Sequence, residues 1–197
     1  MKTTHFDVGA NAVVQLGENL YKNTYGVLIE YITNSYDADA SFVKINIDRI
    51  KGTVTIEDDG VGMTLDELGD NFLKVGNNRR KKYITKTTDK GRLVTGRKGF
   101  GKLACFGLFK SFKVDTYKNN QKSTLIVTSK LNEDDEFEYE ALIDEESTPI
   151  QHSNGTIIYL SENTSEIVDN ESLSESIAKR LNIMYDGTPT DPTGFKI

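Results

Sequence analysis

The sequence predicts an α+β domain: a mixed, mostly antiparallel sheet covered by helices on one face, which makes a two-layer α/β sandwich. Helical periodicity occurs before residue 40 and again near the end of the chain, whereas short β-branched runs separated by turn residues lie between. Helices placed before and after hairpin-connected strands are typical of this architecture. The 197 residues, 37% of them hydrophobic, suffice for one domain with its own core.

The first part of the chain is predicted to be helical and then to form a hairpin. We expect helices at residues 13–22 and 25–38. The apolar residues of the second helix recur at helical spacing and are Tyr25, Leu28, Ile32 and Tyr36. Residues 42–47 and 53–56 are β-branched runs joined by a turn at Gly52, which predicts a strand pair.

A glycine-rich turn and short helices follow the hairpin. The turn is at residues 59–62, and Thr64 with Glu67 three residues later has the pattern of a capping box. We therefore expect a helix at residues 65–73, and another at residues 99–108.

The second half of the chain is predicted to supply most of the sheet. Apolar-rich strands are expected near residues 112–117, 125–129, 137–143 and 156–160. A last helix is expected at residues 172–184. We assign residues 1–186 to one domain, and we expect the turn-rich tail, residues 187–197, to lead into a further domain of a longer protein.

Composition limits the class of protein. The first residues lack the apolar core of a secretory signal, and Cys105 is the only cysteine. No run reaches the roughly 18 consecutive apolar residues of a membrane-spanning helix. We therefore expect a soluble, cytoplasmic protein without a membrane partner.

Charge is distributed unevenly. The chain has a formal net charge of −6, yet residues 76–102 contain ten Lys or Arg residues and one acid, Asp89. A basic block on an acidic body favours either contact with an anion or a solvated loop, and charge alone leaves both open. The segment is also longer than most connections within a domain, which is typical of functional loops.

A polar stripe runs along the second predicted helix. Glu30, Asn34 and Asp37 fall within about 60° of one another around the helix axis. A solvated helix face would give such a stripe, but the centre of this helix has middling or poor helix formers rather than Lys, Glu or Arg. A carboxylate one turn before an amide also suits a magnesium ion that is shared with substrate phosphates.

The turn after the hairpin combines an acid with two glycines. Asp58 is a hydrogen-bond acceptor when ionised and could bind an exocyclic amino group. Gly60 and Gly62 carry no side chain that would block a flat ligand. An acidic glycine turn also simply reverses chains, so this motif alone leaves both interpretations open.

A second glycine motif, GRKGFGK at residues 96–102, precedes a predicted helix. Glycine backbone N–H groups and a helix N-terminus together bind phosphate. The spacing also fits a Walker loop, but the next residue is Leu103 rather than Ser or Thr. The overlapping G-x-G-x-x-A of a dinucleotide fold requires a preceding buried strand, and no convincing one is present.

Four motifs in order resemble one known family. EYITNSYDADA, DDGVGM, GRKGFGKLA and NGT are similar to the ATP-binding motifs of the Bergerat fold. That fold is shared by the GHKL superfamily of gyrase B, heat-shock chaperones, histidine kinases and MutL. The motifs span residues 30–156.

The resemblance implies a role for each matched residue. Glu30 would be the general base and Asn34 the magnesium ligand, while Asp58 would bind the adenine amino group. Residues 76–99 would form the ATP lid. The remaining nucleotide-binding residues implied are Asp37, Ala38, Gly60, Gly62, Met63, Gly96, Lys98, Gly99, Phe100, Gly101, Lys102 and Thr156.

The function implied is magnesium-dependent binding and slow hydrolysis of ATP. Lid closure would then drive a conformational or dimerisation switch in an N-terminal ATPase module, with an ATP-dependent homodimer and further domains as partners. A nucleic-acid partner is allowed but not required. One alternative is a module that senses ATP without hydrolysis. The other is phosphotransfer of the histidine-kinase type, although His5 and His152 lie outside predicted helices.

Overall fold

The fold was determined as a computed structural model. It describes residues 2–6, 24–69, 87–95, 108–131, 137–146 and 152–163, together with residues 175, 195 and 197. Within these residues there are two helices, α1 (Thr24–Asp37) and α2 (Leu65–Leu68). The strands are β1 (Lys2–Phe6), β2 (Val43–Asp48), β3 (Thr53–Asp58), β4 (Phe109–Lys118), β5 (Gln121–Leu131), β6 (Phe137–Glu145) and β7 (Gly155–Asn163).

The described strands form one seven-stranded sheet in the order β1-β6-β5-β4-β7-β3-β2. Every neighbouring pair is antiparallel. The predicted α+β class and the predicted hairpin of β2 and β3 are therefore confirmed. β7 lies between β4 and β3, so the last of the described strands joins the hairpin of β2 and β3 to the rest of the sheet.

The core lies between α1 and one face of the sheet. Val27, Leu28, Tyr31 and Ile32 of α1 are at most 1% exposed. They share a hydrophobic cluster with alternate residues of the central strands: Val54, Ile56, Phe112, Val114, Ile158 and Leu160. This period-2 burial makes one face of the sheet apolar and fixes its register, because a shift by one residue would turn that set outward.

The capping box predicted at α2 is confirmed. The Thr64 side chain accepts a hydrogen bond from the Glu67 backbone, and the Glu67 carboxylate accepts one from the Thr64 N–H. Glu67 also pairs with Lys118 Nζ at 2.7 Å, which ties α2 to the end of β4. The helix is described as far as Leu68, so its predicted extension through residues 70–73 lies outside the described residues.

Pattern reading missed β1, which adds to the edge of the sheet by pairing with β6. The helix predicted at residues 13–22 lies outside the described residues, as does the basic segment from residue 76 to 86. Of the helices predicted at residues 99–108 and 172–184, only Leu108 and Glu175 lie within the described residues. Among the described helices, none has the length and apolar character that crossing a bilayer requires.

Candidate nucleotide-binding site

The site forms where the C-terminal end of α1 meets the exit of β3. Ser35 lies on the buried face of α1, and its hydroxyl donates to Asp58 Oδ2 at 2.8 Å. The chain then turns back toward the helix, because the Val61 N–H donates to the Ala38 carbonyl at 2.9 Å. These two contacts bring together the helix motif and the glycine-turn motif, which are separate in the sequence.

The Asp58 carboxyl is enclosed at this junction. Its Oδ1 accepts a hydrogen bond from the Gly60 N–H at 2.9 Å. Desolvation by burial outweighs the hydrogen bonds from Gly60 and Ser35 and raises the pKa of Asp58 from 3.8 to about 6. Asp58 is thus an acceptor whose charge changes just below neutral pH.

Three neighbouring strands align polar residues with Asp58. Asp58 of β3 lies opposite Thr156 of β7, and Thr156 lies opposite Thr116 of β4. The Thr116 and Thr156 hydroxyls are 3.3 Å apart, and both side chains are buried. The row places a carboxylate and two hydroxyls on the sheet face that also carries α1.

Thr116 also holds the glycine turn in place. Its hydroxyl accepts a hydrogen bond from the Met63 N–H at 2.9 Å and donates to the Gly155 carbonyl at 3.2 Å. Met63 is partly buried against the hydrophobic core. Thr116 thereby connects Met63 with Thr156. Both of these residues were predicted to bind the nucleotide.

The two glycines of the turn serve chain packing. A Cβ on Gly60 would lie 2.8 Å from the Ala38 carbonyl oxygen. Gly62 has φ +64°, and a Cβ there would lie 2.0 Å from the Tyr117 carbonyl oxygen. The missing side chains make room for neighbouring backbone. The role in ligand access that the sequence interpretation assigned to both glycines stays a prediction.

The three residues of the polar stripe on α1 differ in their exposure to solvent. Glu30 and Asn34 are partly exposed, whereas Asp37 is buried, with 8% exposure. Asp37 Oδ1 accepts hydrogen bonds from the N–H and the hydroxyl of Thr95, at 2.9 and 2.8 Å. Asp37 therefore binds the protein segment that leads into the second glycine motif.

The donor set on α1 suits a magnesium ion bound jointly with phosphates. Within the described ranges, no group of three or more His, Cys, Asp or Glu side chains is arranged to hold a metal. The Asn34 amide offers one neutral oxygen on a partly exposed helix face, next to Ser35, which bonds Asp58. One protein oxygen plus substrate phosphates and water is a common magnesium environment.

The second glycine motif lies outside the described residues. This applies to Gly96, Lys98, Gly99, Phe100, Gly101 and Lys102, all of which were predicted to contact phosphates. The described residue before them is Thr95, which Asp37 holds. The predicted phosphate contacts therefore remain predictions.

Sequence interpretation missed two residues of the site, Ser35 and Thr116. Both interrupt an otherwise apolar pattern: Ser35 follows Leu28 and Tyr31 on the buried helix face, and Thr116 follows Val114 in β4. Buried polar groups are nearly always hydrogen-bonded. A polar residue in phase with core residues is thus the signal that could have identified them.

The seven-stranded antiparallel sheet with α1 packed on one face has the α+β architecture of the GHKL fold. Comparison with known proteins agrees with this fold. The family described as histidine kinase-, DNA gyrase B-, and HSP90-like ATPase matches residues 21–156, most of the chain. The chain belongs to this family.

Individual relatives have diverse names. A putative type II restriction enzyme, HgiDII, from Herpetosiphon aurantiacus is 34% identical over 117 residues, which cover 59% of this chain and 18% of that protein. The chaperone protein HtpG from Shewanella sp. (strain W3-18-1) is 27% identical over 209 aligned positions, covering 91% of this chain and 32% of HtpG. A mitochondrial TNF receptor-associated protein 1 homolog from Dictyostelium discoideum is 30% identical over 123 residues, covering 51% of this chain and 17% of that protein. The matched regions are thus at most about a third of each relative's length.

Proposed function

We propose that this domain binds ATP with magnesium and hydrolyses it slowly, and that the bound nucleotide changes the conformation of a larger protein. One observation carries the proposal: Asp58 is held by Ser35 and Gly60 at the junction of α1 and β3, in a chain of an ATPase family. A carboxylate fixed by two donors keeps lone pairs for a third, such as an adenine amino group.

The row of polar side chains supports recognition of the base. Thr156 lies opposite Asp58, and its hydroxyl would contact the base directly or through water. Gly62 would pack against the ring, as would Met63, whose N–H donates to Thr116. One acceptor with apolar surroundings favours adenine over guanine, because guanine presents a carbonyl where adenine has its amino group.

The chemistry would take place along α1. Glu30 would accept a proton from the attacking water, or orient that water, and Asn34 would supply an oxygen ligand to magnesium. When bound, magnesium would neutralise charge that develops on the phosphates. Glu30 is one turn from Asn34 on a partly exposed face of a helix anchored by a packed core, which supports this division of roles.

At the level of the whole protein, we propose that ATP closes the lid at residues 76–99 and promotes association of two copies of the chain. Each residue that becomes ordered on closure costs on the order of 1 kcal/mol, so closure would limit turnover. The competing function is a domain that senses ATP without hydrolysis. Phosphotransfer to histidine is less favoured by the described elements, since His5 lies in β1 and His152 is an exposed residue outside any helix.

Calorimetry and phosphate release test the proposal together. We expect the protein to bind ATP, to release phosphate only with magnesium, and to lose turnover by about 10²-fold or more in Glu30→Gln with its ATP affinity retained. Glu57→Gln is the matched control, since Glu57 lies on β3 and its side chain points to the face opposite Asp58.

Each outcome has a distinct meaning. ATP binding without turnover in the wild type would establish the sensing domain, and equal loss in both glutamate variants would remove Glu30 from the reaction. Sedimentation with a non-hydrolysable ATP analogue tests the homodimer, because the analogue should raise the association constant of the wild type. Absence of heat on titration of ATP would overturn the whole proposal.

A further inference from the structure

Arg92 forms the centre of a cluster at the C-terminal end of α1. Its side chain is buried, with 2% exposure of the residue. The guanidinium carbon is 4.7 Å from the Tyr36 ring centroid and 5.5 Å from the Phe195 ring centroid. The two rings meet edge to face at 5.5 Å. Three parts of the chain, far apart in sequence, therefore meet around one cation.

Arg92 also stabilises the C-terminal end of α1. Its Nη1 donates to the carbonyl oxygens of Ala40 at 2.6 Å and Tyr36 at 3.2 Å. The last turn of α1 has no basic residue of its own. Helix C-termini carry unsatisfied carbonyls and partial negative charge, so a cation supplied from residue 92 satisfies both.

Further contacts attach residues 88–95 to the end of α1. Asp39, in the left-handed region with φ 59°, accepts hydrogen bonds from the Thr88 hydroxyl at 2.5 Å and the Lys90 N–H at 3.1 Å. Lys90 Nζ donates to the Asp39 carbonyl at 2.7 Å. With Asp37 holding Thr95, the segment from residue 88 to 95 is bound to the end of α1 at both of its ends.

We propose that Arg92 is a positioning residue for the phosphate end of the nucleotide site, and that contact with the Phe195 ring stabilises Arg92 in its buried position. Thr95 is followed covalently by Gly96, the first residue of the second glycine motif, so whatever fixes residues 88–95 fixes where that motif begins. The inference rests on the proposed function, since it assigns the motif to ATP phosphates.

The aromatic contacts explain how Phe195 acts on Arg92. A buried guanidinium is stable only when hydrogen bonds and ring faces replace its water. Arg suits this site better than Lys, because its planar group can stack on rings while it donates to two carbonyls. Removal of the Phe195 ring would make burial of Arg92 less favourable and weaken its contacts with the end of α1.

Calorimetry with adenosine and with ATP separates positioning from general stability. We expect Arg92→Gln to weaken ATP binding by up to about tenfold, because only part of the energy of the lost intramolecular hydrogen bonds is transmitted to the phosphate contacts. Adenosine affinity should stay unchanged, since adenosine lacks phosphates. Lys44→Gln, at an exposed position on β2, is the control for loss of one positive charge. An equal loss for adenosine and ATP in Arg92→Gln would overturn the proposal.

Phe195→Ala tests the aromatic part and leaves the hydrogen bonds of Arg92 in place. We expect ATP affinity to fall two- to fivefold, the size of one cation–π contact. In the double variant with Arg92→Gln, the two effects should be less than additive, because both act through the same cluster. Full additivity, or no change in the ratio of ATP to adenosine affinity, would contradict the proposal.

Two further measurements keep the result interpretable. Thermal unfolding of each variant identifies loss of fold, and Arg92→Lys, which keeps the charge, replaces Arg92→Gln if that variant does not fold. We expect Arg92→Lys to weaken ATP binding and spare adenosine. If the wild type binds neither adenosine nor ATP, the proposed function fails; if it binds both and the Arg92 variants match it, only the positioning role fails.

Discussion

The Ser35 hydroxyl lies 2.8 Å from Asp58 Oδ2 and 3.1 Å from the Tyr31 carbonyl oxygen of its own helix. One hydroxyl carries one proton, so its two acceptors compete for it. An ionised Asp58 attracts that proton, whereas a protonated Asp58 can donate to Ser35 and leave the Ser35 proton for Tyr31. The contact between α1 and β3 is therefore linked to the charge of Asp58, whose pKa burial raises to about 6.

Binding of an adenine base should depend on pH through Asp58. An amino donor favours the carboxylate, so the association constant for adenosine should be constant above pH 7 and fall below about pH 6, by up to tenfold per pH unit. Calorimetry across this range measures the profile. Asp58→Asn should bind more weakly at pH 7 and show a flat profile; a slope in that variant equal to the wild type's would assign the titration to another group.

The raised pKa of Asp58 should also make the stability of the domain depend on pH. The direction is opposite to that of a salt-bridged acid, whose pKa is lowered in the folded state. Its pKa in the folded state, about 6, exceeds the ordinary value of 3.8, so the folded state binds more protons than the unfolded state between those values. The free energy of unfolding contributed by Asp58 therefore decreases as pH rises from 4 to 6 and is constant above. Thermal unfolding of wild type and Asp58→Asn, compared at pH 4 and 7, should show relative stabilisation of the variant at pH 7.

Much of the fold was predictable because its core follows simple periods. The α1 helix, the hairpin of β2 and β3, and the later strands all have apolar residues at helical or alternating spacing. β1 is the exception. It is five residues long, KTTHF, and it forms by pairing with the distant β6, so local pattern carries little signal for it.

The motifs of the candidate site were predictable from the sequence, but the hydrogen bonds that connect the motifs were not. Asp58 and Thr156, both predicted as contacts of the adenine base, are neighbours in register. Asp37 was expected to support the nucleotide, which stays a prediction, and the structure adds that its carboxylate holds Thr95. Arg92 was counted only as part of a basic block, whereas it is buried. Residues more than 50 positions apart are brought into contact by tertiary packing. The spacing of residues within one motif does not predict such contacts.

Gly62→Ala should destabilise the domain by roughly 3 kcal/mol or more, because left-handed strain adds to a collision with the Tyr117 backbone. Gly91→Ala is the matched control. Gly91 has φ +81° and open space around it, so it should cost only the strain, about 1 kcal/mol. Denaturant unfolding gives both values, and equal losses would mean that the close approach at Gly62 relaxes easily.

Thr116→Val should weaken nucleotide binding although Thr116 need not contact the nucleotide. The substitution keeps the shape but leaves the Met63 N–H without its hydroxyl acceptor, which costs about 1–3 kcal/mol in stability. We expect adenosine affinity to fall with it, whereas Thr116→Ser, which retains the hydroxyl, should stay close to wild type. Calorimetry and thermal unfolding of the pair provide the comparison; a valine variant with full affinity would show that the turn holds its shape without Thr116.

Ser35→Ala should move the pH dependence of binding upward. The Ser35 hydrogen bond lowers the pKa of Asp58 against the effect of burial, so its removal should raise that pKa above about 6. Hydrogen bonds to charged groups are typically worth about 1.5–3 kcal/mol, which corresponds to a shift of about one pH unit or more. Adenosine affinity at pH 7 should then fall, and recover at pH 8.5. Thr33→Ala, two positions away on another face of α1, is the control. A uniform loss of affinity at every pH in Ser35→Ala would mean that Ser35 shapes the site without setting the charge of Asp58.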